Sequence, residues 1–175
     1  MIALAPCPAP VLTTERLRLR PMVPGDWPAY AALMASDRAC HMGGPFDTPA
    51  AWGLFCHDAA GWALWGLGAL MIERRADGVT VGQVGISKGP LFPETELGWM
   101  LYAGFEGQGF ATEAGAALRD FAMDRVPTLV SYVGPQNAAS AAVALRLGAV
   151  SDPAAPRQPG DDEDLVFRHA RGARA

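Results

Sequence analysis

A basic surplus is the first thing this chain lacks. Its 18 aspartates and glutamates outnumber its 14 lysines and arginines, for a formal net charge of -4. A protein that binds nucleic-acid phosphates broadly shows a basic face instead, so nucleic acid is not an expected partner. Cysteine is scarce too: Cys7, Cys40 and Cys56 are odd in number and share no metal-like spacing. That argues against a disulfide framework and fits ordinary thiols in a reducing, cytoplasmic setting. His41, His57 and His169 lie far apart, and the Cys40-His41 and Cys56-His57 pairs do not repeat a ligand spacing, so no metal is expected. Long hydrophobic runs are missing as well. The densest, Trp62 to Ile72, has 11 residues and includes Gly66 and Gly68, whereas a membrane-spanning helix takes about 20. Met1 to Val11 is apolar but carries three prolines and no basic segment, which makes it a poor signal peptide and a loose N-terminal arm.

What is present is core. With 175 residues, 50% hydrophobic and 18% charged, the chain can bury one sizeable core and reads as a single domain over 1–175. Arg16 to Arg20 alternates basic and apolar residues before Pro21, the pattern of a half-buried first strand ended by proline. Asp26 is placed to cap a helix through Trp27, Tyr30, Leu33 and Met34. Thr48-Pro49 opens a second helix, which Gly61 is expected to end. Ala69 to Arg74 and Val79 to Ser87 read as strands joined by an Asp77-Gly78 hairpin turn. A strand from Glu94 to Leu101 follows. Ala114, Leu118, Phe121 and Ala122 share a helical face, leaving Glu113, Arg119 and Asp120 toward solvent. Leu129 to Val133 would return parallel to the earlier strand after that helical crossover. A last helix, Asn137 to Leu147, is closed by Gly148, and a proline- and acid-rich loop, Pro153 to Glu163, leads to a final strand, Asp164 to His169. The run Asp161-Asp162-Glu163-Asp164 reads as a solvated turn, though an acidic turn can also attract a cationic acceptor.

The most informative segment is Glu106-Gly107-Gln108-Gly109-Phe110-Ala111-Thr112, set between a strand and a helix. Glycines let the backbone approach a ligand, and the free amides and dipole of a helix's first turn bind phosphate without a basic side chain. A dinucleotide fold would want a third small residue three positions after Gly109, where Thr112 stands, and an acid after the next strand, where Gly134-Pro135-Gln136 stands. A nucleoside-triphosphate loop would want lysine where Phe110 stands. On its own, a pair of glycines before a helix is also compatible with a plain tight turn.

The surrounding motifs narrow these readings. Glu96 to Leu101, Gly107 to Ala114, and Asn137-Ala138-Ala139-Ser140 running to Leu147-Gly148-Ala149 resemble the Gcn5-related N-acetyltransferase superfamily. With the opening Leu12 to Arg20, they look most like the branch of ribosomal-protein N-terminal acetyltransferases. The resemblance covers most of the chain in order. It implies an α/β (α+β) fold with a mixed, mostly antiparallel sheet, splayed at the centre and flanked by helices. It also implies acetyl-coenzyme A as co-substrate, an amine acceptor such as a protein N-terminus or a small molecule, and no membrane partner; homodimers are common among relatives. The pyrophosphate would lie on Gly107, Gln108, Gly109, Phe110, Ala111 and Thr112. Glu106 stands where the family usually has Gln or Arg, so its carboxylate is expected to turn away from phosphate.

The resemblance further implies that the pantetheine arm adds to the strand carrying Trp99, Met100 and Leu101. An amide there would polarise the thioester carbonyl, an effect worth about 3 kcal/mol per donor in other enzymes. Glu96 is the candidate base, with Glu94 a weaker alternative and a surface carboxylate the bland reading. Asn137 and Ser140 share one face at the start of the last helix. The resemblance gives Asn137 to the cofactor arm and Ser140 to protonation of the thiolate, with Tyr132 less well placed; the bland reading is a capping Asn and a packing Ser. The tryptophans Trp27, Trp52, Trp62, Trp65 and Trp99 are expected mainly in the core. The acceptor pocket is expected from Ala39 to Leu67 and from Ser151 to Asp164. Transfer of a different acyl group, or a non-catalytic acyl-coenzyme A sensor, are the alternatives.

Overall fold

A computed structural model describes residues 8–157, 160 and 163–170. It contains eight strands, β1 (Leu12–Thr13), β2 (Leu17–Pro21), β3 (Ala69–Arg74), β4 (Thr80–Ser87), β5 (Glu96–Leu101), β6 (Val130–Val133), β7 (Val150–Ser151) and β8 (Leu165–Arg168). Its four α-helices are α1 (Trp27–Met34), α2 (Thr48–Trp65), α3 (Phe110–Met123) and α4 (Ala138–Arg146). The sheet order is β1-β2-β3-β4-β5-β6-β8-β7, antiparallel except where β5 meets β6. The mixed, mostly antiparallel architecture implied by the sequence is the one observed. No helix among the described residues is long and apolar enough to cross a membrane. Most of the 1–11 arm, and Asp161 and Asp162 of the acidic turn, lie outside the described residues.

The sheet is covered on two faces because its strands alternate. Leu17, Leu19, Leu70, Ile72, Val84 and Leu97 meet α3 through Phe110, Ala114, Leu118 and Ala122. On the other face Met100 packs with Tyr30, Met34 and Phe55 of α1 and α2. Burying a side chain such as Leu118 fully is worth about 2 kcal/mol, so this period-3.6 stripe fixes α3 across the sheet.

Several sequence expectations are corrected. Arg16 to Arg20 contains the second strand; two-residue β1 precedes it, pairing Leu12 with Leu19. Asp26 gives no side-chain cap to α1. Its carboxylate takes two bonds from Arg20, at 2.7 and 2.9 Å, and one from the Val23 amide. Helix α2 is capped by Asp47 and runs through Gly61 to a left-handed Gly66. Gly61 serves packing: a Cβ there would lie 2.6 Å from the Leu67 carbonyl oxygen, so the return of the chain into β3 requires its absence. Arg119 is buried, donating to the Leu147 carbonyl and pairing with Asp120.

The feature that positions the site is the junction of β5 and β6. They share one register pair, Glu96 with Val130, and then diverge. Ser131 is the wedge, donating to the Leu97 carbonyl at 2.5 Å while its oxygen lies 2.9 Å from His169 Nε2. Since the Ser131 proton is committed to Leu97, Nε2 carries the hydrogen it gives to Ser131, and Nδ1 is left a buried acceptor without a partner among the described residues.

Candidate active site

Two clefts open onto this divergence. The first, about 750 Å³, runs from the start of α3 past Trp99, Met100 and Leu101 to Asn137 and Ser140. Its floor at one end is the glycine loop. Gly109 caps α3 in the left-handed region at φ 81°, and Gly107 has φ 72° with nothing near the position of a Cβ. The first intrahelical bond is Glu113 N–H to Gly109 O, 3.0 Å, so the amides of Phe110, Ala111 and Thr112 precede the helix's own ladder. Gly107, Gly109, Phe110, Ala111 and Thr112 line the cleft; Gln108 does not. Its side chain turns back to Gly104 O and its carbonyl accepts from Arg16. Arg16 also pairs with Glu113 at 2.7 Å and lies over the Phe110 ring, which braces the loop from the N-terminal side.

Glu106 does not turn out of the cleft as expected: it lines the first cleft, its carboxylate held there by its neighbours. Its own amide, the Gly104 amide and Arg38 hold its carboxyl below the usual range, and Arg38 neutralises it in an ion pair. Arg38, which sequence reasoning passed over, lines the first cleft with Arg146 and donates to Leu101 O at 3.0 Å.

The edge of β5 toward the gap is open in a specific way. Tyr102 N–H bonds to Val81 O of β4, whereas Leu97 O and Leu101 O accept from Ser131 and Arg38 on the opposite side. Strand alternation therefore turns the N–H and C=O of Trp99 into the gap, where β6 has withdrawn. Gly82 on β4 permits this path: a Cβ there would come 2.2 Å from Met100 O.

The second cleft, about 690 Å³, meets the first at Trp99, Met100, Asn137 and Ser140. Glu96 lines it, as do Tyr132 and the turn Gly134 to Gln136. Asn137 caps α4 by accepting the Ser140 amide at 3.1 Å, so the capping role and a place in both clefts coexist. Tyr132 is half-buried and gives its hydroxyl to Pro156 O, and burial moves its pKa upward. Glu94 is removed as a base candidate: Arg168 binds both its oxygens at 2.8 Å and holds its carboxyl below the usual range. Among the tryptophans, Trp99 alone lines either cleft. Trp62 is core, its indole N–H bonded to Ala69 O. No group of three metal-ligating side chains forms among the described residues.

The second cleft also holds a carboxylate the sequence reading missed. Asp58 of α2 accepts from Gln83 at 3.0 Å and from Tyr30 at 3.2 Å, and burial pushes its carboxyl up to about 6. The available signal was composition: Asp58 is the one acidic or basic residue of Thr48–Trp65, histidine aside.

Residues 16–150 match the family model described as an acetyltransferase (GNAT) domain. An acetyltransferase from Agrobacterium tumefaciens strain C58 is 57% identical, with 93% of this chain and 95% of that one covered and a TM-score of 0.89. The fold is shared at lower identity with RimJ of Mycobacterium smegmatis in complex with a coenzyme A disulfide, at 24% identity, 87% and 80% coverage and a TM-score of 0.63. It is shared also with RimL, a ribosomal L7/L12 α-N-protein acetyltransferase solved with coenzyme A, at 19% identity, 91% and 97% coverage and a TM-score of 0.68.

Proposed function

The chain belongs to the GNAT acetyltransferase family, and from that premise we propose that it transfers acetyl from acetyl-coenzyme A to a primary amine by direct attack on the thioester. The observation that carries this reading is the meeting of two clefts over the opened edge of β5. One cleft ends in unpaired helix amides suited to an anion, and the other carries carboxylates suited to an amine.

Coenzyme A fits the residues present in the first cleft. Its pyrophosphate would rest on the amides from Gly107 to Thr112, with Arg146 as a nearby cation and Arg38 shared with the Glu106 carboxylate that lines the same cleft. Its pantetheine amides would pair with Trp99, adding a short strand to the edge that β6 leaves. The N–H of the same stretch would stabilise charge developing on the thioester oxygen.

In the proposed reaction the neutral amine attacks the carbonyl carbon, the C–N bond forming and the C–S bond breaking. Glu96 accepts the proton lost by nitrogen, directly or through water, and the Ser140 hydroxyl gives one to the departing sulfur as it takes one up from solvent. Glu96 stands in the second cleft and Ser140 at the junction of the two, which supports giving the two proton transfers to different residues. Steady thiol release from acetyl-coenzyme A with an amine, and its loss in Glu96→Gln at unchanged coenzyme A affinity, is the expected result. Coenzyme A binding with no turnover across a broad amine panel would replace the transferase by a sensor.

A further inference from the structure

The acceptor cleft is acidic and its inner wall is specific. Asp58, Glu96 and Asp164 line it with His41, and among the described residues no lysine or arginine does. Asp58 comes from a stretch of α2 with no other acid, lysine or arginine, next to His57, and is buttressed from two other elements, by Tyr30 of α1 and Gln83 of β4. Both of those bonds end on Oδ2; Oδ1 accepts none from the described residues. A half-buried carboxylate with an unused oxygen, its charge met only in part by the neighbouring His57, is costly unless a further cation meets it. Its raised pKa, to about 6, reports that same cost.

Position separates Asp58 from the reacting centre. Gln83 pairs with Met100 across β4 and β5, and the gap lies on the far edge of β5. Asp58 therefore sits one to two inter-strand spacings to the side, roughly 5–10 Å. We infer that Asp58, held by Tyr30 and Gln83, forms a subsite for a second cationic group of the acceptor, distinct from the nitrogen that is acetylated. The substrate class is an amine carrying a further ammonium or guanidinium at that reach, such as an α,ω-diamine. The inference rests on the amine-acceptor reading above and extends it to specificity.

The test uses the full chain saturated with coenzyme A, titrated calorimetrically with diaminobutane and diaminohexane and with the matching butylamine and hexylamine. At least one diamine binds about tenfold tighter than its monoamine, as a charge-assisted contact requires. Asp58→Asn brings that ratio close to one while coenzyme A affinity, the folding control, stays within about twofold. Tyr30→Phe, which keeps the carboxylate and loosens its support, gives an intermediate ratio. Equal binding of diamines and monoamines by the wild type overturns the subsite, as does a preference that survives Asp58→Asn. The parallel turnover assay separates the two claims. An Asp58-dependent diamine preference without acetyl transfer would keep the subsite and sink the transferase reading. Equal kcat/KM for diamine and monoamine would do the reverse.

Discussion

Acid should strain the wedge between β5 and β6 through His169, and the size of the effect can be worked from the structure. His169 is 4% exposed, with Nε2 toward Ser131 and Nδ1 without a partner. Protonating Nδ1 would create a buried donor with no acceptor; burial first, and then the charge of Arg119, lower the His169 pKa to about 4. The unfolded chain, with an ordinary pKa near 6.5, takes up the proton first as pH falls. At pH 5 this favours unfolding by about 2 kcal/mol, 1.5 units at roughly 1.4 kcal/mol each. Asp58 opposes it: with a folded pKa of about 6, it binds a proton in the folded state before the unfolded one and returns about 1 kcal/mol over the same range. The wild type should therefore lose only about 1 kcal/mol from pH 7 to pH 5. His169→Gln, which keeps an N–H for Ser131, should instead gain about 1 kcal/mol. Carboxylates held low by arginines titrate below this window and cancel in the comparison. Urea unfolding followed by tryptophan fluorescence at pH 7, 6 and 5 reads the difference. Parallel pH dependences for the two proteins would refute the buried, partnerless Nδ1.

Other expected outcomes address the site and its frame. Asp58→Asn, lacking the compensating proton, should lose stability between pH 7 and pH 5 by about 1 kcal/mol more than the wild type, and an unchanged slope in the same unfolding series would refute the raised Asp58 pKa. Gly109→Glu should weaken coenzyme A binding by at least about tenfold relative to Gly109→Ala, which carries the same strain at positive φ without the charge; equal affinities would take phosphate off the α3 amides. Glu96→Gln should lower kcat well beyond any change in coenzyme A affinity, whereas wild-type rates across pH would send the proton elsewhere. Gly82→Ala should cost about 1–3 kcal/mol in thermal unfolding, because Met100 O stands 2.2 Å from the added Cβ; an unchanged Tm would mean that β5 has room to shift.

What the sequence made legible is what periodicity and turn chemistry encode. The hairpin at Asp77-Gly78, the amphipathic stripe of α3, the parallel return of β6 and the closure of α4 at Gly148 are all where local rules put them. Glycine was the ambiguous sign: Gly61 and Gly66 look alike in sequence, yet one admits the Leu67 backbone and the other ends the helix, and only packing tells them apart. β1 and β7 are two residues each, too short to show alternation. Arg119 lies on the polar side of its helix by pattern but is drawn inward by the Leu147 carbonyl, a partner 28 positions away.

The candidate site divides along the same line. The glycine loop, Asn137 and Ser140 are motif-borne and gather along the first cleft, and Glu96 joins them from the second. Arg38, which neutralises Glu106, and Asp58, which owes its environment to Tyr30 and Gln83, are defined by long-range contacts that no local spacing reveals. Glu94 and Glu96 are two residues apart in sequence, but Glu94 lies in the bend before β5, paired with Arg168 of β8, and Glu96 opens the strand.

The most direct measurement incubates the protein with acetyl-coenzyme A and a panel of diamines, monoamines and peptide N-termini, quantifying released thiol alongside the mass of the amine product. Thiol and a singly acetylated amine should appear in equal amounts with at least one acceptor. Coenzyme A binding without either product, or thiol release with no acetylated amine, would contradict amine acetylation at this site.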